Sequence, residues 1–160
     1  MFGFWFRFVS KAGMAVERGY GEQYYAANVK PFLHDYMGGI FETICQEYVL
    51  RLGMTGKLDL MLTKTGKWRG SDPVRKCPAD IDVVGIDVAS ETAVIGECKF
   101  KNSSFGKDEY ETLLDRSRLI SPYIVEKYLI FSLGGVTKWV LEQHTPEVEF
   151  VPMEKLFSVE

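Results

Sequence analysis

Two β-branched runs, Asp80–Ile86 and Thr92–Phe100, flank a short polar turn, and this pairing constrains the chain more than any other feature. Runs rich in Val and Ile joined by a few polar residues form an antiparallel hairpin. A turn symmetric about Val88–Glu91 pairs Asp87 with Thr92, and counting back sets Asp82 opposite Glu97 and Asp80 opposite Lys99. Side chains alternate along a strand, so Asp80, Asp82 and Val84 share one face and Ile81 and Val83 the other; Ile95, Glu97, Lys99 and Lys101 likewise share a face.

Two opposed carboxylates, with Cβ atoms roughly 5 Å apart, repel unless a proton or a cation lies between them. Mg²⁺ or Mn²⁺ would resolve the repulsion, since such ions take hard oxygen ligands, often one or two carboxylates with water and a phosphate. Lys99, two residues beyond Glu97, would then hold the attacking water and offset charge on a pentavalent phosphate. The alternative is a solvated sheet face on which Asp80 simply pairs with Lys99 and the register differs by a residue pair. Spacing alone leaves both open.

Around the hairpin the pattern predicts a helix over Val29–Leu52, where Leu33, Met37, Phe41, Cys45 and Tyr48 recur at helical spacing. A strand is expected over Lys57–Thr63, then a turn-rich connection over Thr65–Pro78 that includes Trp68. Lys107–Leu119, with acidic residues in its first turns, reads as the second helix. Lys127–Leu133 reads as a strand, Trp139–Leu141 and Val148–Val151 as weaker strands, and Met153–Phe157 as a terminal helix. The order is α-β-β-β-α-β with a short tail, and 160 residues suit one α/β domain spanning 1–160.

Phe2, Phe4, Trp5, Phe6 and Phe8 make residues 1–20 an aromatic segment that needs a partner. Three are open: this domain's own core, which is favoured, a second copy in a homo-oligomer, or an absent upstream module. The stretch is interrupted by Arg7, lacks a basic leader and is shorter than a membrane span, which predicts a soluble chain with no membrane segment. Cys45, Cys77 and Cys98 are odd in number and widely spaced, which argues against a disulfide framework and a zinc cluster and fits a reducing cytoplasm. His34 and His144 have no second ligand at metal spacing and receive no role. Cys98 alternates away from Glu97 and Lys99, so its thiol is expected in the core.

The net charge of −3 gives no global sign of nucleic-acid binding. Locally, Lys57 to Lys76 carries six basic residues against two acidic ones, a net +4. Lys64, Lys67, Arg69, Lys76 and, beyond the hairpin, Lys101 are candidate phosphate contacts, and Trp68 a candidate base-stacking platform. A solvated loop, with Trp68 as a lid over core, is the equally open alternative.

Asp82 followed at fifteen residues by Glu97-Cys98-Lys99 resembles the Asp…Glu-x-Lys signature of the PD-(D/E)xK nuclease superfamily, which includes restriction enzymes and archaeal Holliday junction resolvases. The element order agrees. Phe4–Val9, Gly39–Cys45, Gly66-Lys67-Trp68, Asp80–Val84 and Gly96–Phe100 are also similar to an uncharacterised C-terminal domain attached to archaeal-type P-loop ATPases of bacteria and archaea. The superfamily resemblance implies a restriction-endonuclease-like core, a central mixed sheet flanked by helices. It implies that Asp82, Glu97 and the backbone carbonyl of Cys98 hold Mg²⁺ or Mn²⁺, with Lys99 as the catalytic lysine. Glu42 on the first helix is a further acidic ligand on this reading and a solvated helix carboxylate on the other. Ile81 stands where the superfamily's name has proline. No Gly-x-x-x-x-Gly-Lys-Ser/Thr occurs, so ATP binding is not assigned to this chain. The expected function is metal-dependent DNA endonuclease activity; the alternative is a catalytically silent docking or regulatory domain of a P-loop ATPase.

Overall fold

The structure, a computed structural model, describes residues 2–143 and 145–158; His144 lies outside the described residues. Cα packing divides the chain into two compact units, residues 1–39 and 40–160. In the first, helix α1 (Phe2–Phe4) leads into a π-helical turn over Trp5–Val9, then α2 (Gly13–Glu17) and α3 (Gly21–Asn28). Phe8 is buried here, with Phe4 and Tyr36 packed edge-on or tilted against it, and the Arg7 guanidinium lies 5.3 Å from the Phe8 ring. Phe2, Trp5 and Phe6 stay exposed, so the aromatic segment is covered only in part.

The long helix α4 (Lys30–Met54) runs through the boundary and supplies Phe41, Cys45, Tyr48 and Val49 to the core of the second unit. There five strands form one sheet in the order β1 (Lys64–Asp72), β2 (Cys77–Asp87), β3 (Thr92–Lys99), β4 (Ile124–Ser132), β5 (Val148–Val151). β1, β2 and β3 are antiparallel neighbours. β4 and β5 continue the sheet in parallel, reached through α5 (Lys107–Arg116) and α6 (Lys138–Glu142), and α7 (Met153–Phe157) ends the described chain.

Two apolar layers cover the sheet. On the α4 side Val83, Val94, Leu129, Phe131 and Val151 pack with the helix. On the α5 side Ile81, Ala93, Ile95 and Ile130 pack with Phe105, Tyr110 and Leu113. A fully buried Phe or Leu contributes about 1.5–3 kcal/mol through the water it leaves, so these layers hold the hairpin firmly. Gly96 marks how tightly: a Cβ there would lie 3.0 Å from the Phe131 ring and 3.1 Å from the Leu129 carbonyl.

The hairpin register is the one expected, from Asp87↔Thr92 to Val83↔Gly96. Three other expectations are corrected. Lys57–Thr63 is not a strand: its backbone joins no ladder and is tied to the end of β2 at single points, with Met61 donating to the Asp87 carboxylate and Thr63 to the Ile86 carbonyl, while Leu60 is buried and Leu58 and Leu62 pack on the core. Thr65–Pro78 is mostly strand rather than connection. β1 lies at the sheet edge, where charged side chains are tolerated and keep the open edge from pairing with another chain. Its turn to β2 is fastened by Asp72, which accepts from the Val74 and Arg75 amides and is paired with Arg118. Trp139–Leu141 is helical, because the Thr137 hydroxyl caps α6 by accepting from the Val140 amide.

The β1–β2 ladder contains one irregularity. Gly66 pairs with Val84 but Trp68 with Ile81, so Asp82 and Val83 together oppose Lys67. This is a β-bulge, and it resets the alternation of β2: Ile81 and Val84 both pack on the α5 side, and Val83 on the α4 side. The expected sharing of one face by Ile81 and Val83 fails for this reason.

Candidate functional site

Beyond Val83↔Gly96 the β2–β3 ladder stops, and side chains replace backbone partners. The Cys98 amide donates to Asp82 Oδ2 at 3.0 Å, and the Asp82 carbonyl accepts from the Gln46 amide at 2.8 Å. Asp82 is therefore fixed at both ends, within the sheet plane and beside the backbone of β3. The N–H and C=O of one strand residue point the same way, so the Cys98 carbonyl also faces β2.

The Lys67 ammonium sits between three carboxylates: Asp82 at 2.7 Å, Glu42 at 3.0 Å and Asp80 at 3.2 Å. Burial opposes its charge, but the hydrogen bonds to Asp82 and Glu42 outweigh that and raise its pKa. Asp80 also lies 3.7 Å from Arg116 of α5, and Arg116 is hydrogen-bonded to Glu97. A charged chain thus runs from Glu42 on α4 through Lys67, Asp82 and Asp80 to Arg116 and Glu97 on the α5 side.

Asp82 and Glu97 are neighbours in this network, although not as two carboxylates on one flat face. The Asp82 carboxylate is bonded to Lys67 of β1 and to the backbone of β3, while Glu97, following Ala93 and Ile95 by alternation, is bonded to Arg116 of α5. Burial raises the Glu97 pKa to about 7, the Asp82 charge adds to the rise, and Arg116 opposes it. A carboxyl whose pKa rises on folding contributes stability that is complete below its unfolded value and lost as pH climbs through about 7. Glu97→Gln should therefore flatten the fall in melting temperature between about pH 5 and pH 7, measured by thermal unfolding in the absence of metal; an unchanged slope would show that Glu97 does not titrate there.

Lys99 has other company. Its ammonium is held by the Glu109 carboxylate and, at 2.8 Å, by the Ser104 carbonyl. Glu109 in turn accepts from the Gly106 amide at the start of α5. Asp80 and Lys99 do not form the pair that a solvated sheet face would have given.

The expected nucleic-acid residues separate. Lys67 is committed to carboxylates inside the site. Lys64, Arg69, Lys76 and Lys101 are exposed, the first two on edge strand β1 and Lys76 in its turn at φ 54°. Trp68 is half-buried against the α5-side core, with its ring over Gly70, where a Cβ would come within 2.5 Å of it. The Cys98 thiol packs on the α4-side core and is raised in pKa by burial and by the neighbouring Cys45. Sequence reasoning missed Arg116; its position in the last turn of the helix after β3 was the available signal.

Among the described residues no three His, Cys, Asp or Glu side chains are arranged as they stand to hold a metal ion. The acidic oxygens instead converge on an ammonium. The donor set is nonetheless of the hard-oxygen kind that divalent cations take, since carboxylate oxygens of Glu42, Asp80 and Asp82 already surround a positive charge. No helix among the described residues is long and apolar enough to cross a membrane.

Fold and site define a mixed α/β protein whose five-strand sheet, flanked by helices, carries a charged network at the splayed end of an antiparallel hairpin. The family DUF234, described as archaeal and bacterial proteins of unknown function, matches residues 5–113, and the chain belongs to it. That span includes Glu42, Lys67, Asp82, Glu97, Lys99 and Glu109, and ends before Arg116. The chain is also similar to an uncharacterized protein of Methanocaldococcus jannaschii, 26% identical over 129 residues, which cover 78% of this chain and 27% of that protein. It thus spans about a quarter of the length of that relative. No solved structure matches the chain.

Proposed function

We propose that the second unit is a metal-dependent nuclease domain of the PD-(D/E)xK type with a restriction-endonuclease-like core, acting on DNA. The observation that carries the reading is the bulge that presents Asp82 beside the Glu97-Cys98-Lys99 segment, at the point where the β2–β3 ladder opens. Bulges collect next to active sites because they re-aim a side chain without dissolving the sheet. The order α4-β1-β2-β3-α5-β4, antiparallel and then parallel, agrees with the same reading.

Asp82, Glu97 and the Cys98 carbonyl would hold Mg²⁺ or Mn²⁺, with Glu42 beside them. When bound, such an ion polarises the phosphodiester and lowers the pKa of water at the scissile phosphorus. The chain's own contributions are positional. The Cys98 amide fixes the Asp82 carboxylate, Arg116 orients Glu97, and Glu109 with the Ser104 carbonyl keeps the Lys99 ammonium ordered near the hairpin end. Lys64, Arg69, Lys76 and Lys101 offer sequence-independent phosphate contacts. The purified chain with Mn²⁺ or Mg²⁺ is expected to cut DNA, and EDTA to stop it; duplex, branched and single-stranded substrates should all be offered.

A second reading, a docking or regulatory domain without catalysis, is favoured by one observation: Lys67 and Arg116 already neutralise the acidic groups without a metal. The chain's small share of its relative's length suits a module of a larger protein. Binding of Mn²⁺ without cleavage of any of the three DNA forms would select this reading.

A further inference from the structure

We propose that Lys67 is the site's resident counter-ion, a lock that a divalent cation must displace in order to bind. The lock rests on the metal-dependent reading of the site and concerns its regulation. Its geometry is specific. One ammonium stands 2.7, 3.0 and 3.2 Å from carboxylates of Asp82, Glu42 and Asp80, which come from the bulge, the long helix and the start of the hairpin. A single-bonded surface lysine would leave an acidic cluster open; here the amine takes the position where three sets of acidic oxygens converge.

The fold dictates this placement. In the bulge Asp82 and Val83 together oppose Lys67, and its side chain reaches both the Asp82 carboxylate and Glu42 of α4. Asp80 and Glu97 share Arg116 on the other side, so the acidic groups are held together by two cations from two different layers. Arg116 spreads its charge over a planar fork and stays paired with Glu97. Lys67 is a compact charge on a flexible stem, and its strand is at the sheet edge, so it can swing outward without disturbing the core.

Asp82 Oδ2 already accepts from the Cys98 amide and Oδ1 from Lys67, so a divalent ion seated on Oδ1 competes with the ammonium for the same oxygen. Removing the charge from Lys67 should therefore tighten Mn²⁺ binding while weakening the metal-free protein. The test uses the full chain with Mn²⁺ alone as probe, read by titration calorimetry and by loss of the free-ion electron paramagnetic resonance signal. Lys67→Met is expected to bind Mn²⁺ about tenfold tighter or more, a factor worth about 1.4 kcal/mol, and Lys67→Arg, which keeps the charge, no tighter than the parent. If Lys67→Met does not fold, Lys67→Gln, which still donates to the carboxylates, replaces it. Tighter binding by the neutral variants supports the lock, and binding by them alone supports it most strongly. Equal or weaker binding by both, with the parent binding normally, overturns the lock and leaves the metal reading intact. Absence of Mn²⁺ binding in every variant, with folding verified by circular dichroism, overturns both.

Discussion

Asp82→Asn should eliminate both the rise in melting temperature on adding Mn²⁺ and any DNA cleavage. A ligand present at about a hundred times its dissociation constant stabilises the folded state by about 2.7 kcal/mol, which for a chain of this size moves the melting temperature by roughly 5–10 °C. Asparagine keeps an acceptor for the Cys98 amide, so the strand geometry survives while the charge is lost. The effect on the metal-free protein depends on Lys67. Two bare carboxylates would be relieved by losing one charge, but Asp82 is already paired at 2.7 Å, so the substitution removes a charge-assisted bond and should destabilise the metal-free protein by about 2 kcal/mol. Thermal unfolding with and without Mn²⁺ separates the two effects. A mutant that responds to Mn²⁺ as fully as the parent would remove Asp82 from the ligands.

The residues that were legible in the sequence are those whose positions depend on local rules. The β2–β3 register comes from β-branched runs and a polar turn, so Asp87↔Thr92 and the pairs below it could be counted off. The helix over residues 30–54 and the terminal helix come from apolar spacing. The bulge was not legible, because it exists only where β1 meets β2, and β1 reads as a loop. Its Gly66, Gly70 and charged residues leave Trp68 as its one large apolar side chain, too little to mark a strand face, since an edge strand is charged for protection rather than buried. Once that strand is missed, Lys67 looks like a phosphate contact. Its actual partners stand 25 and 15 residues away on α4 and β2, brought together only by the folded sheet. The same limit hid Glu109: its spacing from Gly106 marks a helix start, but nothing in the spacing says that its carboxylate will also hold Lys99.

That pairing sharpens the expectation that separates enzyme from docking module. If the hairpin is a working nuclease, Lys99→Ala should lower cleavage on the order of a hundred- to a thousand-fold, the range seen when one preorganised donor to a developing charge is removed. Mn²⁺ affinity and DNA affinity should stay near those of the parent, because the ammonium is bonded to Glu109 and the Ser104 carbonyl and not to the carboxylates of the metal ligands. Glu109 is then a positioning residue: Glu109→Gln keeps a neutral acceptor but loosens the lysine, so it should reduce the turnover rate more than substrate affinity. A structural role for the pair predicts something else, equal loss of thermal stability in both variants and no selective change in turnover. Single-turnover cleavage of a labelled duplex, set beside melting curves of the same samples, distinguishes the outcomes. Unchanged cleavage by Lys99→Ala at full Mn²⁺ occupancy would take the lysine out of the chemistry, and Lys67, displaced from its carboxylates, would become the next amine to test.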